Sequence, residues 1–285
     1  MMNKNSKSKY IYLSPVIIYA IVLILFPIIY ILFLSFQTSD NYGGIIYSLT
    51  LNNYLKIFDI VYLRVLYKSA CIAIITTFIC ILIAYPFSIF ISEKKANTQK
   101  ILITLVMIPF LTNSLIRTYG WIVLLRKEGV FNSVLRSLNL IDNPISFMYN
   151  NLGVFIGLVY TLLPFMILPV YSSVSKIDKK VLEAAEDLGA NSYQKFMKVI
   201  LPQTLPGIFN GSLMVFIPAI GMFFIADLLG GGKIMLIGNL IKNQFLVSRN
   251  WPFGAAISIF LIVITFILVK FYKKSGGNMD DLGGF

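Results

Sequence analysis

Residues 11–36 read IYLSPVIIYAIVLILFPIIYILFLSF, an apolar run without a single Asp, Glu, Lys or Arg. A helix needs about 20 apolar residues to cross about 30 Å of hydrocarbon, so the run predicts a transmembrane helix. It is too long for the apolar core of a secretory signal, about 7–15 residues, and no small-residue cleavage site follows it. The basic stretch before it, residues 1–10, is therefore expected to stay as a cytoplasmic tail. Working outward, residues 69–91, 101–125, 152–174, 209–229 and 253–271 meet or approach the same requirement. The expected fold is an all-α integral membrane protein of six transmembrane helices, with one membrane domain over 11–271 and a cytoplasmic tail over 272–285. Pro27, Pro86, Pro109, Pro164, Pro169 and Pro218 interrupt these spans. Kinked spans are tolerated where neighbouring helices or a cavity satisfy the freed backbone groups, which suits a bundle around a pathway.

Composition agrees. Hydrophobic residues make up 58% of the chain and charged residues 13%, against about a quarter charged in soluble domains. Twenty-four Lys and Arg against twelve Asp and Glu give a net charge of +12. These basic residues lie between the apolar runs, so they bear on topology rather than on nucleic acid. The side of the membrane that holds both termini would carry fourteen of them and the opposite side nine, with Arg117 inside a span. The expected site is thus a bacterial cytoplasmic (inner) membrane, multi-pass, with both ends cytoplasmic. Lys270, Lys273 and Lys274 read as a stop-transfer cluster. The chain has no histidine, which excludes His-based acid–base chemistry and removes the commonest metal ligand. Cys71 and Cys80 share one apolar segment and read as packing residues, so no metal site is expected.

Residues 175–207 form the longest polar stretch inside the chain. Asp178 can cap a helix start, with Val181, Leu182, Ala185 and Leu188 at helical spacing. Gly189 can supply the left-handed residue that ends it. Asn191 with Gln194 reads as a second start and Pro202 as its stop. The residues alone leave two readings, a compact cytoplasmic knob or a basic helix lying on the headgroups.

Glu183-Ala184-Ala185, then Gly189, then Val199-Ile200-Leu201-Pro202, resembles the EAA signature of ABC importer permeases, EAA-x3-G-x9-I-x-L-P. The spacing is intact and Val199 replaces the usual isoleucine. The resemblance implies a type I ABC importer permease architecture. Glu183, Ala184, Ala185, Gly189, Leu201 and Pro202 would then couple the spans to a cytoplasmic ATPase. The chain has no G-x-x-x-x-G-K-[ST] phosphate loop, so it is expected to be no enzyme itself and to bind no cofactor, ATP and Mg being held by partner subunits. Arg117-Thr118-Tyr119-Gly120-Trp121, Ile217-Pro218-Ala219-Ile220-Gly221, Asp227-Leu228-Leu229-Gly230-Gly231 and Trp251-Pro252-Phe253-Gly254-Ala255-Ala256 are similar to the spermidine/putrescine permeases, the first and last most like the B-type subunit. Leu51-Asn52-Asn53-Tyr54 fits the wider family. This implies a C-type permease partner in a pseudo-symmetric heterodimer, two ATPase subunits and an extracellular polyamine-binding protein.

Asp227 is the only acid within any of the six runs, and intramembrane acids mark pathways by default. Counted as one helix from Phe209, it falls about 27 Å along at 1.5 Å per residue, near the outer face. Phe223 and Phe224 precede it by one turn, which would place a carboxylate over two aromatic faces, a stop for an alkylammonium cation. Asp227 at a helix C-terminus would meet an unfavourable macrodipole, so a cation should offset it: cargo, Arg117 at comparable depth, or Lys242. Trp121 and Tyr160 are further pathway candidates, although aromatics near span ends often serve as interface anchors. Asn113, Ser114 and Thr161 are expected to hydrogen-bond between helices. Other cargoes stay open at this point (an amino acid, thiamine, an iron or sulfate complex), as does a stand-alone channel. An intramembrane aspartyl protease does not, because it needs two span carboxylates.

Overall fold

The computed structural model describes residues 13–16, 18–40 and 43–274. The expected tail over 1–10, and the C-terminal tail from 275 on, lie outside the described residues. Helices dominate: α1 (Leu13–Ser35), α2 (Asn52–Ile57), α3 (Ile60–Ser92), α4 (Ala96–Leu111), α5 (Ser114–Leu125), α6 (Val130–Ser137), α7 (Asn151–Ser175), α8 (Lys179–Asp187), α9 (Ser192–Gly221), α10 (Phe223–Gly230), α11 (Ile237–Leu246) and α12 (Trp251–Lys274). Among the described residues, α1, α3, α7, α9 and α12 are each long and apolar enough to span a membrane, and α4 with the helices after its break makes a sixth, bent span.

Several expectations about the spans change. The third span is not straight: it bends by 94° after Leu111. Pro109 sits in a tight 3-10 turn, Thr112 and Asn113 are extended, and Asn113 Oδ1 accepts the Leu115 N–H at 2.8 Å. Asn113 is thus an exposed helix cap, not an interhelical bridge. The fifth span is not one helix over 209–229. It begins far earlier, at Ser192, and breaks at Met222 (φ −78°, ψ 79°) before α10 starts. Nor does Pro202 stop a helix. The wide π turn Phe196–Ile200 immediately precedes it and Pro202 falls in the first positions of the following α-helical segment, where its missing N–H costs little. At the C-terminal end the last helix runs to Lys274, past the expected boundary at 271.

The chain forms two compact units, Met1–Leu63 with Leu240–Ile264, and Arg64–Asn239 with Thr265–Phe285. In the first, the two-residue strands β1 (Thr38–Ser39) and β2 (Ile45–Ile46) pair antiparallel. Asn53 donates to the carbonyls of Ser35 (3.0 Å) and Gln37 (2.7 Å), and the Tyr54 hydroxyl meets Ser35 Oγ at 2.6 Å. The Asn-Asn-Tyr segment therefore ties the end of α1 to α2. Phe253 is fully buried with Tyr62 edge-on at 4.8 Å, and Gly254 lets α12 lie close to the Phe245 ring.

The second unit is built on α7, the most buried span. Gly207 and Gly211 bring α9 against it. A Cβ at Gly207 would collide with Ser173 Oγ and the Pro169 carbonyl, and one at Gly211 would sit 2.7 Å from Met166 Sδ. Gly157 does the same for α10, where a Cβ would lie 2.5 Å from Leu229 Cδ1. Small residues four apart let helices approach within van der Waals reach, which drives association inside lipid. The Tyr85 hydroxyl meets Thr204 Oγ1 at 2.6 Å, joining α3 to α9.

Candidate functional site

Two sites emerge, a polar knob at one end of the bundle and a polar-aromatic zone within it. The knob is α8, the Leu188–Gly189 turn and the first turns of α9. Asp178 Oδ1 caps α8 by accepting the Lys180 N–H at 3.0 Å. Gly189 takes φ +78° with nothing within 4 Å of a would-be Cβ, so its role is the left-handed turn itself. A full capping box restarts the chain: Asn191 Oδ1 accepts the Gln194 N–H (2.8 Å) and Gln194 Oε1 accepts the Asn191 N–H (3.1 Å). The Lys195–Glu186 ion pair staples the two helices together. Glu183 and Ala184 face outward, Ala185 is half-buried, and Leu188 is 88% exposed with Tyr193 at 71%. Two large apolar side chains thus stand exposed on a charged knob, a surface that a partner or lipid headgroups can cover. Leu201 and Pro202 lie in α9 just after the π turn. Behind the knob, a cavity of about 330 Å³ lined by Ser92, Glu93, Val174, Lys179, Leu182 and Ile200 separates it from the ends of α3 and α7.

Within the bundle, the break at Met222 shapes the surroundings of Asp227. A Cβ at Gly238 would overlap the Gly221 carbonyl, so glycine there lets the start of α11 reach the break. The next residue, Asn239, is 3% exposed. Its Nδ2 donates to Asp227 Oδ1 at 2.6 Å and to the Phe223 carbonyl at 3.0 Å, while its Oδ1 accepts the Leu236 N–H at 3.1 Å. Ser69 Oγ accepts the Ile237 N–H at 2.9 Å. Side chains thus satisfy the irregular backbone around a broken span, the condition for breaking one in a membrane. Asp227 stands mid-way along the short α10, with Phe223 and Phe224 one turn before it and their rings edge to face at 6.3 Å. The depth count from Phe209 lapses, since it assumed one unbroken helix, whereas Asp227 still lies in the last turn of a helix. Gly231, at φ +61°, ends α10. Lys242 is half-buried on α11, three residues after Asn239.

Arg117, Trp121 and Tyr160 are brought together. The Arg117 guanidinium lies 5.5 Å from the Phe110 ring centre and 5.7 Å from that of Tyr160. Trp121 meets Tyr160 edge-on at 5.2 Å and stacks on Phe131 at 6.0 Å. Asn239 and Phe110 were missed in the sequence. An Asn beside a glycine gives no hint of a partner twelve residues away, and one Phe among 23 carries no mark.

With this geometry in view, the family described as "Binding-protein-dependent transport system inner membrane component" matches residues 41–275. The chain belongs to that family. It is a multi-pass inner-membrane permease. It is 45% identical over 271 residues to the spermidine/putrescine transport system permease protein PotB of Haemophilus influenzae, covering 95% of each chain, and 44% identical over 255 residues to PotB of Escherichia coli, covering 90% and 93%. A solved bacterial ABC transporter involved in the import of the acidic polysaccharide alginate superposes with a TM-score of 0.77 at 17% identity, over 95% of this permease and 96% of that chain. The fold is therefore that of an ABC importer permease. A neighbour whose cargo is acidic also means that the fold alone does not set the charge of what crosses.

Proposed function

We propose that this chain is a transmembrane permease subunit that carries polyamines, spermidine or putrescine, inward by alternating access. The observation that carries the cargo is the identity of more than two fifths, along nearly the whole of both chains, to permeases named for spermidine and putrescine. The residue chemistry supports it: Asp227 is a carboxylate beside Phe223 and Phe224, and two further aromatic faces already hold a cation at Arg117.

In this reading the knob seats in a cleft of a separate ATPase. Glu183, Ala184, Ala185 and Gly189 make the contact, and Leu201 and Pro202 pass the stroke into α9 through the π turn. ATP and Mg belong to two such ATPase subunits. A C-type permease completes the pathway, an extracellular polyamine-binding protein delivers cargo, and both termini face the cytoplasm. Asp227 receives an ammonium group, held in place by Asn239, and Lys242 on α11 is a further pathway residue.

Labelled spermidine uptake tests the cargo, in cells lacking other polyamine uptake and given this chain with its partner subunits. Saturable accumulation, competed by putrescine, is expected. Accumulation no greater than without the chain, while the assembled importer is present in the membrane, rejects the polyamine reading.

A further inference from the structure

The Arg117 site holds a charge in an uncommon way. The guanidinium faces two aromatic rings, its Nε is buried without a hydrogen-bond partner, and among the described residues no ion pair joins it to a carboxylate. A charge inside a span is costly unless paired, and here ring faces alone supply the partner. Phe110 comes from the turn before the 94° bend, Arg117 from the helix after it, and Tyr160 from α7. Trp121, one helical turn beyond Arg117, forms a further wall at the Tyr160 edge. Phe110, Arg117, Trp121 and Tyr160 are all half-buried, so the cluster is open on one side rather than sealed in the core. Phe165 braces Phe110 edge-on at 4.7 Å.

We propose that Phe110 and Tyr160 form an ammonium seat, that Arg117 fills this seat while no cargo is present, and that an ammonium group of the cargo displaces the guanidinium as it passes. This deepens the polyamine reading and rests on it. The chemistry is an exchange of like for like: ring quadrupoles attract an alkylammonium and a guanidinium by the same interaction. The unsatisfied Nε makes the exchange easy, because leaving the seat returns that group to partners it lacks there. A seat without a carboxylate also binds weakly enough to release its occupant, which conduction along a path requires. Arg117 is then a tethered competitor that keeps the seat from standing open to small cations.

The test uses the full chain in detergent with Trp251→Phe, which leaves Trp121 as the only tryptophan of the two. Its emission is titrated with propylguanidinium and, separately, with spermidine. With Arg117 in place the response is expected to be weak. Arg117→Gln should respond saturably at concentrations about tenfold lower, as removing a tethered cation–π competitor implies, and adding Tyr160→Leu should abolish the response. Arg117→Met, which keeps the unbranched stem, repeats the measurement should the glutamine variant lose helical content by circular dichroism. Equal titrations with and without Arg117, or no response in a folded variant, overturn the seat. A response to propylguanidinium alone supports the seat and overturns its use by an alkylammonium cargo, whereas failure of spermidine uptake by the unaltered importer strikes the cargo reading and leaves the propylguanidinium result standing.

Discussion

Asp227 and Asn239 form a pair in which each residue type is needed. The carboxylate accepts a 2.6 Å hydrogen bond from an amide that is itself pinned on three sides and 3% exposed. Asn239 thus orients the acid without neutralising it. Asp227→Asn removes that charge and is expected to lower spermidine uptake at least about tenfold with normal membrane abundance, read by labelled uptake and immunoblot. Asn239→Leu keeps the charge but strips the 2.6 Å hydrogen bond that orients it, and losing a hydrogen bond to a charged group costs about 1.5–3 kcal/mol. We expect a raised KM for spermidine. The glycines give a second contrast at this scale. Gly207→Val drives a side chain into Ser173 and the Pro169 carbonyl and should cost about 1–3 kcal/mol, seen as a lower melting temperature in detergent. Gly120→Ala meets nothing within 4 Å and should melt as the unaltered chain does.

Among the elements, the knob depends on one backbone conformation. Gly189 sits at φ +78° in open space, so Gly189→Val meets no clash but must adopt a left-handed geometry that costs an L-residue about 1–2 kcal/mol. Uptake is expected to fall several-fold while the protein stays in the membrane at its usual level; unchanged uptake would remove the turn from the coupling path. The knob was also the most legible part of the sequence. Its caps, its glycine and its capping box are local signals within a few residues, and each forms as read. The broken spans were not legible for the opposite reason. Met222 is apolar and sits in an apolar run, and the Gly238 and Asn239 that pack against the break lie about seventeen residues beyond in sequence, reaching it only through the fold. The bend after Leu111 did carry local signals, Pro109 and the cap at Asn113, but hydropathy read them through as one span. Arg117 finds rings where the linear count offered it an acid.

At the scale of the whole molecule, the first span, Leu13–Ser35, is the most apolar of the five and has none of its window buried. In hydrocarbon such a face needs lipid or another subunit around it, and helix association there rests on packing rather than on the hydrophobic effect. The excess of basic residues, fourteen against nine, sets the expected orientation. With Cys71 and Cys80 replaced by alanine, Lys180→Cys should react with a membrane-impermeant maleimide only in inverted vesicles, and Lys127→Cys only in right-side-out ones. Reversed labelling would place the knob outside the cell, where no ATP is hydrolysed. The account's central claim is that the knob passes an ATPase stroke to a bundle that moves polyamine. Its most direct measurement is accumulation of labelled spermidine in right-side-out or reconstituted vesicles loaded with ATP and carrying the full importer, with the unaltered chain and with Glu183→Lys together with Ala184→Trp on the exposed face of α8. Accumulation that the unaltered chain supports and the variant abolishes, at equal abundance, is the predicted result; equal accumulation by both would contradict the account.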